Sequence, residues 1–157
     1  MEIIIAAIGR TTTPYIKEGL GEYLRRLGHY ASVKLLELAD TRRGKSVPEV
    51  EQKLREGKLI LSQLTPADYV VLLDERGREH TSEEFARWLD KRMGSGRKRL
   101  VLVIGGPYGF SPEVYDRADE LLSLSRMTFT HEMVRLFAVE QIYRGFTILR
   151  GEPYHHS

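Results

Sequence analysis

Apolar residues fall in two alternating rhythms along the chain. Short, mainly apolar runs at Ile3 to Ile8, Val33 to Ala39, Tyr69 to Leu73, Leu100 to Ile104 and Leu121 to Ser125 read as strands. The first is unbroken up to Gly9, the pattern of a strand buried on both faces. Between the runs the apolar spacing becomes helical. Tyr15 to Leu27, opened by Thr13-Pro14 and stopped at Gly28, places Ile16, Leu20, Tyr23, Leu24 and Leu27 on one face. Ser46, Pro48 and Glu49 open a second helix in capping-box style, with Val50, Leu54, Leu61 and Leu64 as its apolar side. Thr81 and Glu84 cap a third, which carries Phe85, Trp88 and Leu89, and Ser111-Pro112 starts a short fourth. A last helix, His131 to Leu149, is capped by Thr130. The segments Asp40 to Lys45 and Glu75 to His80 read as basic loops. Strand and amphipathic helix alternating in this way predict an α/β fold with a mostly parallel sheet flanked by helices. With no linker or repeat in view, residues 1–157 are expected to form one domain.

Composition narrows the function classes. The chain has 157 residues, 41% hydrophobic and 29% charged, as a globular protein has. It has no cysteine, which excludes disulfides, thiolate metal sites and a cysteine nucleophile. No apolar run approaches the roughly 20 residues that span a bilayer. The N-terminus MEIIIAAIG lacks the basic flank of a signal peptide, so a cytoplasmic location is expected. The net charge is only +2, but basic residues cluster at Arg25-Arg26, Arg42-Arg43 with Lys45, Arg76 with Arg78, and Arg97 to Arg99. Each cluster alone is ordinary solvated surface; together they suit a limited footprint on a phosphate backbone.

In a parallel sheet, ligands bind outside the carboxyl ends of the strands, which here are Gly9, Ala39, Leu73-Asp74 and Ile104-Gly105. Neither a GxGxxG turn nor a GxxxxGK[ST] loop is present, which disfavours a dinucleotide site and a P-loop. The glycines follow the fourth strand instead, as Gly105-Gly106-Pro107-Tyr108-Gly109, a turn whose backbone can approach a ligand. The hydroxyl-rich stretch Leu124 to Thr130 offers a second wall. The last helix is apolar nearly all round, and a second subunit is one surface that could bury its other side. Against that background Arg135, Glu140 and Arg144 stand out, the last two spaced for an i,i+4 ion pair. The tail GEPYHH is too rigid and aromatic for an ordinary frayed end, and the five histidines show no metal-ligand spacing, so no metal is expected.

Three segments, IGGPYG, SLSRMTFTHEMVRLFAVEQIYR and RGEPYHH, together resemble the bacterial ribosomal RNA large-subunit methyltransferase H family, of the SPOUT class. The likeness runs through the whole chain, including the first strand and the EYLRRL helix; it departs only in the terminal His156-Ser157. The resemblance implies a sheet whose C-terminal segment forms a deep trefoil knot, a homodimer, and S-adenosyl-L-methionine as cofactor. It implies methylation of N3 of a pseudouridine in 23S rRNA on the assembled ribosome. Carried over by motif, Leu73, Gly105 and Leu124, Ser125, Arg126, Met127, Thr128 and Phe129 would hold the cofactor. Glu140, Arg144, Tyr154 and His155 would form the substrate side, with the tail completing the site of the other subunit.

Positioning should dominate such a transfer. His155 is the first choice as base or relay for the N3 proton and Glu140 the second. Arg144 would stabilise charge on the flanking carbonyls, and Tyr154 would stack on the base. A ribosome-binding factor without catalytic activity, or an enzyme using another adenine-containing ligand, would share the fold; binding of S-adenosylmethionine separates these readings.

Overall fold

The computed structural model describes residues 1–40 and 46–156. The basic segment with Arg42, Arg43 and Lys45, and the terminal Ser157, lie outside the described residues. Five strands and five helices follow one another in the order β1 (Glu2–Ile8), α1 (Pro14–Leu27), β2 (Ser32–Leu38), α2 (Glu49–Ser62), β3 (Tyr69–Glu79), α3 (Ser82–Met93), β4 (Arg99–Ile104), α4 (Pro112–Arg117), β5 (Glu120–Ser123) and α5 (His131–Leu149). The sheet order is β2-β1-β4-β3-β5 and every pairing is parallel.

Alternation along the central strands splits the core in two. Ile3, Ile5 and Ala7 of β1, with Leu100, Leu102 and Ile104 of β4, face buried residues of α1, α3 and α5, among them Leu20, Leu89 and Ile142. Ile4 and Ala6, with Val101 and Val103, face Ile60 of α2, Phe110 and Val114 of α4. The helix α5 packs on both α1 and α3 as well as on the sheet. That contact within one chain already accounts for most of its apolar circumference, burying Ala138, Val139, Ile142 and Phe146. Burial of α5 therefore requires no second subunit, although Phe137 and Leu149 stay exposed.

Capping follows the sequence at two helices. Thr81 and Glu84 form a reciprocal capping box, and the Thr130 hydroxyl accepts from the Met133 amide. At α2 the residue before the helix is Pro48, without a side-chain cap, so the expected capping box is absent. Its apolar side is also displaced. Val50 and Leu54 are exposed, whereas Gln52, Glu56 and Gly57 are buried, because the polar face is turned toward the segment 106–111.

The expected loop Glu75 to His80 is instead the second half of β3. After an irregularity between Leu73 and Arg78, Arg78 pairs with Leu122 and Glu79 with Ser123 of β5. Gly77 makes this possible: a Cβ there would lie 2.5 Å from the Leu122 nitrogen and 2.6 Å from the Leu121 carbonyl carbon.

Candidate functional site

At the carboxyl end of β4 and the irregular middle of β3, Leu73 to Arg76, the sheet opens into a cleft of about 870 Å³. The turn Gly105–Phe110 forms one wall and the segment from Leu124 to Thr130 the other, with Leu73 and Ile104 between them. Gly106 accepts from the Gly109 amide to close the turn, and Gly109 has φ of +81°, where glycine carries no Cβ strain. A Cβ on Gly106 would strike the buried Glu56 carboxylate at 2.4 Å. On the opposite wall the Ser123 hydroxyl donates to the Ser125 carbonyl, and the Ser125 hydroxyl accepts from the Met127 amide. The interior is apolar where Phe110, Leu124 and Val134 meet.

Glu49, Asp74, Glu75 and Arg76 are the charged residues along the cleft, and Asp74 is the most firmly held of them. The Asp74 side chain is 8% exposed and accepts from the backbone amide and guanidinium of Arg76 and from the Tyr115 hydroxyl. Burial by itself would raise its carboxyl, but those donors outweigh burial and hold it below the ordinary range.

The first turns of α5 are tied to the end of β1 and the residues that lead into α1. Glu132 accepts from the Thr12 amide and hydroxyl and the Thr13 amide at 2.8 to 3.0 Å. The Thr13 amide is the largest of the influences that lower its carboxyl to about 2. One turn on, the fully buried Arg135 donates to the carbonyls of Ile8 (2.8 Å) and Gly9 (3.0 Å), to the Thr11 hydroxyl (2.8 Å) and to Glu37 (3.2 Å). Gly9, at φ +84°, turns the chain as β1 ends. The segment Leu124 to Thr130 is therefore anchored by β5 before it and by two side-chain clamps after it.

A third group of residues gathers where α5 meets the tail. Glu140 accepts from Arg144 (2.6 Å) and from the Tyr154 hydroxyl (2.9 Å), and Tyr154 also meets the Tyr23 hydroxyl at 2.9 Å. Burial, and then these two partners, push the Tyr154 phenol well above its ordinary range. Arg144 lies 3.0 Å from His155 Nδ1, and His155 Nε2 lies 3.0 Å from Glu83. A guanidinium can only donate, so Nδ1 accepts and the ring proton sits on Nε2, pointing at Glu83. The tail backbone is held as well, since the Glu152 amide donates to Thr147 and the Tyr30 hydroxyl to the Glu152 carboxylate.

This geometry can be set beside known proteins. The family model described as "Predicted SPOUT methyltransferase" matches residues 1–155. The chain belongs to the SPOUT methyltransferase family. It is 51% identical over 157 residues to "Ribosomal RNA large subunit methyltransferase H" of Parabacteroides distasonis, covering 100% of both chains. A protein of the same name from Porphyromonas gingivalis is 49% identical over the same span, again covering 100% of both. The one from Christiangramia forsetii is 51% identical over 156 residues, 99% of each chain.

In this SPOUT chain, Leu73, Gly105, Leu124, Ser125, Met127, Thr128 and Phe129 all line the one cleft. Arg126, expected with them, turns outward; its side chain is 86% exposed and pairs with Glu79 at 3.3 Å. Glu140, Arg144, Tyr154 and His155 are brought into mutual contact, but none of them lines the cleft. Glu140 lies about 15 Å further along α5 than Thr130, at 1.5 Å of rise per residue. Sequence reasoning missed Asp74, Tyr115, Glu37 and Glu132 as parts of the site. Asp74 had a signal, being a carboxylate at a strand's carboxyl end, and Glu132 reads locally as no more than an acid in a helix's first turn.

Proposed function

We propose that this chain is a cytoplasmic S-adenosyl-L-methionine-dependent methyltransferase that methylates N3 of a pseudouridine in 23S ribosomal RNA on the assembled ribosome. The observation that carries the reading is the full-length identity of about one residue in two to relatives named for ribosomal RNA methylation. The cleft supports it. Its 870 Å³ falls within the usual range for a small-molecule site. Its lining suits the cofactor: apolar walls for an adenine, backbone groups at Leu73 and Gly105 for polar edges, and the Asp74 carboxylate for a hydroxyl or a cation. When bound there, the cofactor supplies an electrophilic methyl group.

For N3 to take up that methyl group, the N3 proton must leave. The residues of the tail cluster handle that proton and the charge. In the closed network both His155 nitrogens are engaged, so His155 becomes a base only when Arg144 leaves Nδ1. Arg144 turning to a carbonyl oxygen beside N3 accomplishes both steps: it frees Nδ1 and stabilises the charge that develops on that oxygen. Glu140 positions Arg144 and Tyr154, and Tyr154 stacks on the base.

The reading includes a homodimer in which the tail cluster of one chain completes the cleft of the other. Two features support this arrangement. The cluster stands away from the cleft of its own chain, and the cleft edge exposes Met127 (77%), Tyr108 (45%) and Phe129 (38%), with Phe129 packed on the exposed Phe137. It also includes the trefoil knot, in keeping with the close approach of the turn after β4, the segment after β5 and the end of β1 on which α5 settles.

Mass spectrometry of nucleosides from ribosomes incubated with the protein and S-adenosylmethionine tests the reading. A monomethylated pseudouridine is expected. Unmodified ribosomes together with calorimetric silence toward the cofactor would replace it with a ribosome-binding factor.

A further inference from the structure

His155 is held from two directions. Arg144 of α5 donates to Nδ1, and the proton on Nε2 points at Glu83 Oε1, 3.0 Å away. Glu83 is the second residue of α3, far along the chain from the C-terminal motifs. The reciprocal capping box between Thr81 and Glu84 fixes the backbone of this first turn. The Ser82 hydroxyl donates to Gln141 of α5 at 3.3 Å, and Gln141 donates in turn to Glu140 at 3.1 Å. One helical turn thus supports both ends of the tail cluster: Glu83 holds His155, and Ser82 holds Glu140 through Gln141.

On one side the imidazole faces Arg144, with Glu140 and Tyr154 behind it. On the other it faces Glu83, with Arg87 one turn further along α3. The His155 side chain is 16% exposed and that of Glu83 39%. The hydrogen bond from His155 is the largest of the influences that hold the Glu83 carboxyl below its ordinary range, so Glu83 stays an ionised acceptor at neutral pH.

When Arg144 turns to the base, Nδ1 loses that donor, and the bond from Nε2 is what keeps the ring in its plane. A carboxylate behind Nε2 then does two things. It keeps a proton on that nitrogen, so the lone pair stays on Nδ1. It also balances the positive charge that the ring acquires when Nδ1 takes the N3 proton. One proton moves, from N3 to Nδ1, and the proton on Nε2 stays where it is.

We infer that Glu83 is a positioning residue for the methyl transfer, orienting His155 through Nε2 while Nδ1 works as the base. The inference rests on the methyltransferase reading above and adds to its site a residue from outside the C-terminal motifs.

Two variants test it. Glu83→Ala removes the acceptor, and Glu83→Gln keeps an oxygen in its place without the charge. Calorimetry with S-adenosylmethionine, single-turnover methylation over a range of ribosome concentrations, and thermal unfolding are measured on each. The His155 Nε2 proton is followed by NMR of nitrogen-labelled histidine, its resonance assigned by its absence from His155→Ala. Cofactor Kd and half-saturating ribosome concentration should stay within about twofold of wild type, because the contact acts on the proton and not on binding. The rate at saturating ribosome should fall about tenfold in Glu83→Ala, less than a full general-base contribution because Glu83 is partly exposed. In Glu83→Gln it should fall only about threefold, since a neutral acceptor gives roughly half the strength of a charged one. The Nε2 proton should be visible in wild type and Glu83→Gln and lost to exchange with water in Glu83→Ala. A folded Glu83→Ala at the wild-type rate, or one whose loss lies entirely in ribosome or cofactor affinity, would overturn the inference. So would a Glu83→Gln as slow as Glu83→Ala, or an Nε2 proton that exchanges as fast in wild type as in Glu83→Ala. A wild-type protein that transfers no methyl group would instead overturn the function on which the inference rests, and the Nε2 resonance would still report whether Glu83 holds the ring.

Discussion

Replacing Arg135 by methionine keeps the length of the side chain and removes the guanidinium. Four hydrogen bonds go with it: those to the Ile8 and Gly9 carbonyls, to the Thr11 hydroxyl and to Glu37. Bonds from a charged donor contribute about 1.5–3 kcal/mol each, so the gross loss is large. Two effects reduce it. Glu37 is 34% exposed, and water can replace its partner. The buried cation also no longer has to be stripped of water, a cost that pushes its own pKa down in the native protein. What remains is close to the lower end of the range for breaking a buried ion pair, about 3 kcal/mol. In urea, with a slope of about 2 kcal/mol/M for a domain of this size, the midpoint should fall by about 1.5 M with the slope unchanged. Wild type and variant are compared at equal protein concentration, because the proposed dimer would couple stability to concentration. Arg135→Lys should recover only part of the loss, since a compact ammonium lacks the planar fork whose two Nη groups are spread over these acceptors. A midpoint within about 0.3 M of wild type would refute the reasoning, because it would mean that water serves the end of β1 as well as the guanidinium does.

Other outcomes follow from the same contacts. Glu132 has its carboxyl lowered from 4.5 to about 2 in the folded state, so its contribution is present above pH 4.5 and is lost as pH falls toward 2. The stability gap between wild type and Glu132→Gln should therefore be full at pH 6 and close across that window; a gap constant from pH 6 to 2 would contradict this. Gly77→Ala drives a Cβ into the backbone of Leu121 and Leu122, which cannot yield as a side chain can. It should cost about 2–3 kcal/mol, a fall in Tm of roughly 6 °C, and a change below about 2 °C would count against the close crossing. His155→Ala should slow single-turnover methylation of pseudouridine-containing ribosomes at least tenfold, and an unchanged rate across pH would remove His155 from the proton path. With no appended RNA-binding module in the described residues, a short naked hairpin should be methylated far more slowly than the ribosome; equal turnover would place specificity in local sequence.

The strands and helices were legible because each buries a face that its own sequence marks with period 2 or 3.6. The failures have separate causes. β3 seemed to end at Asp74 because DERGRE carries no apolar rhythm, yet its second half is held by backbone pairing that side-chain patterns do not report. The apolar side of α2 was misplaced because Gln52 and Glu56 are buried against other polar groups, where hydrophobicity is no guide. Arg135 was conspicuous in an apolar helix, but its partners lie more than ninety residues away in the chain.

The sequence by itself determined the alternation of elements, the glycine turn after β4, the caps of α3 and α5, and, through its motifs, the family. Those are local properties: a spacing, a missing Cβ, a hydroxyl three residues from an acid. The order β2-β1-β4-β3-β5 was decided only in three dimensions, and with it the cleft between the turn Gly105–Phe110 and the segment from Leu124 to Thr130. So was the anchoring of α5 to the end of β1 by Glu132 and Arg135. Strand neighbours are selected by how whole faces pack and by which distant carbonyls a buried cation can reach, and no window along the chain contains both partners.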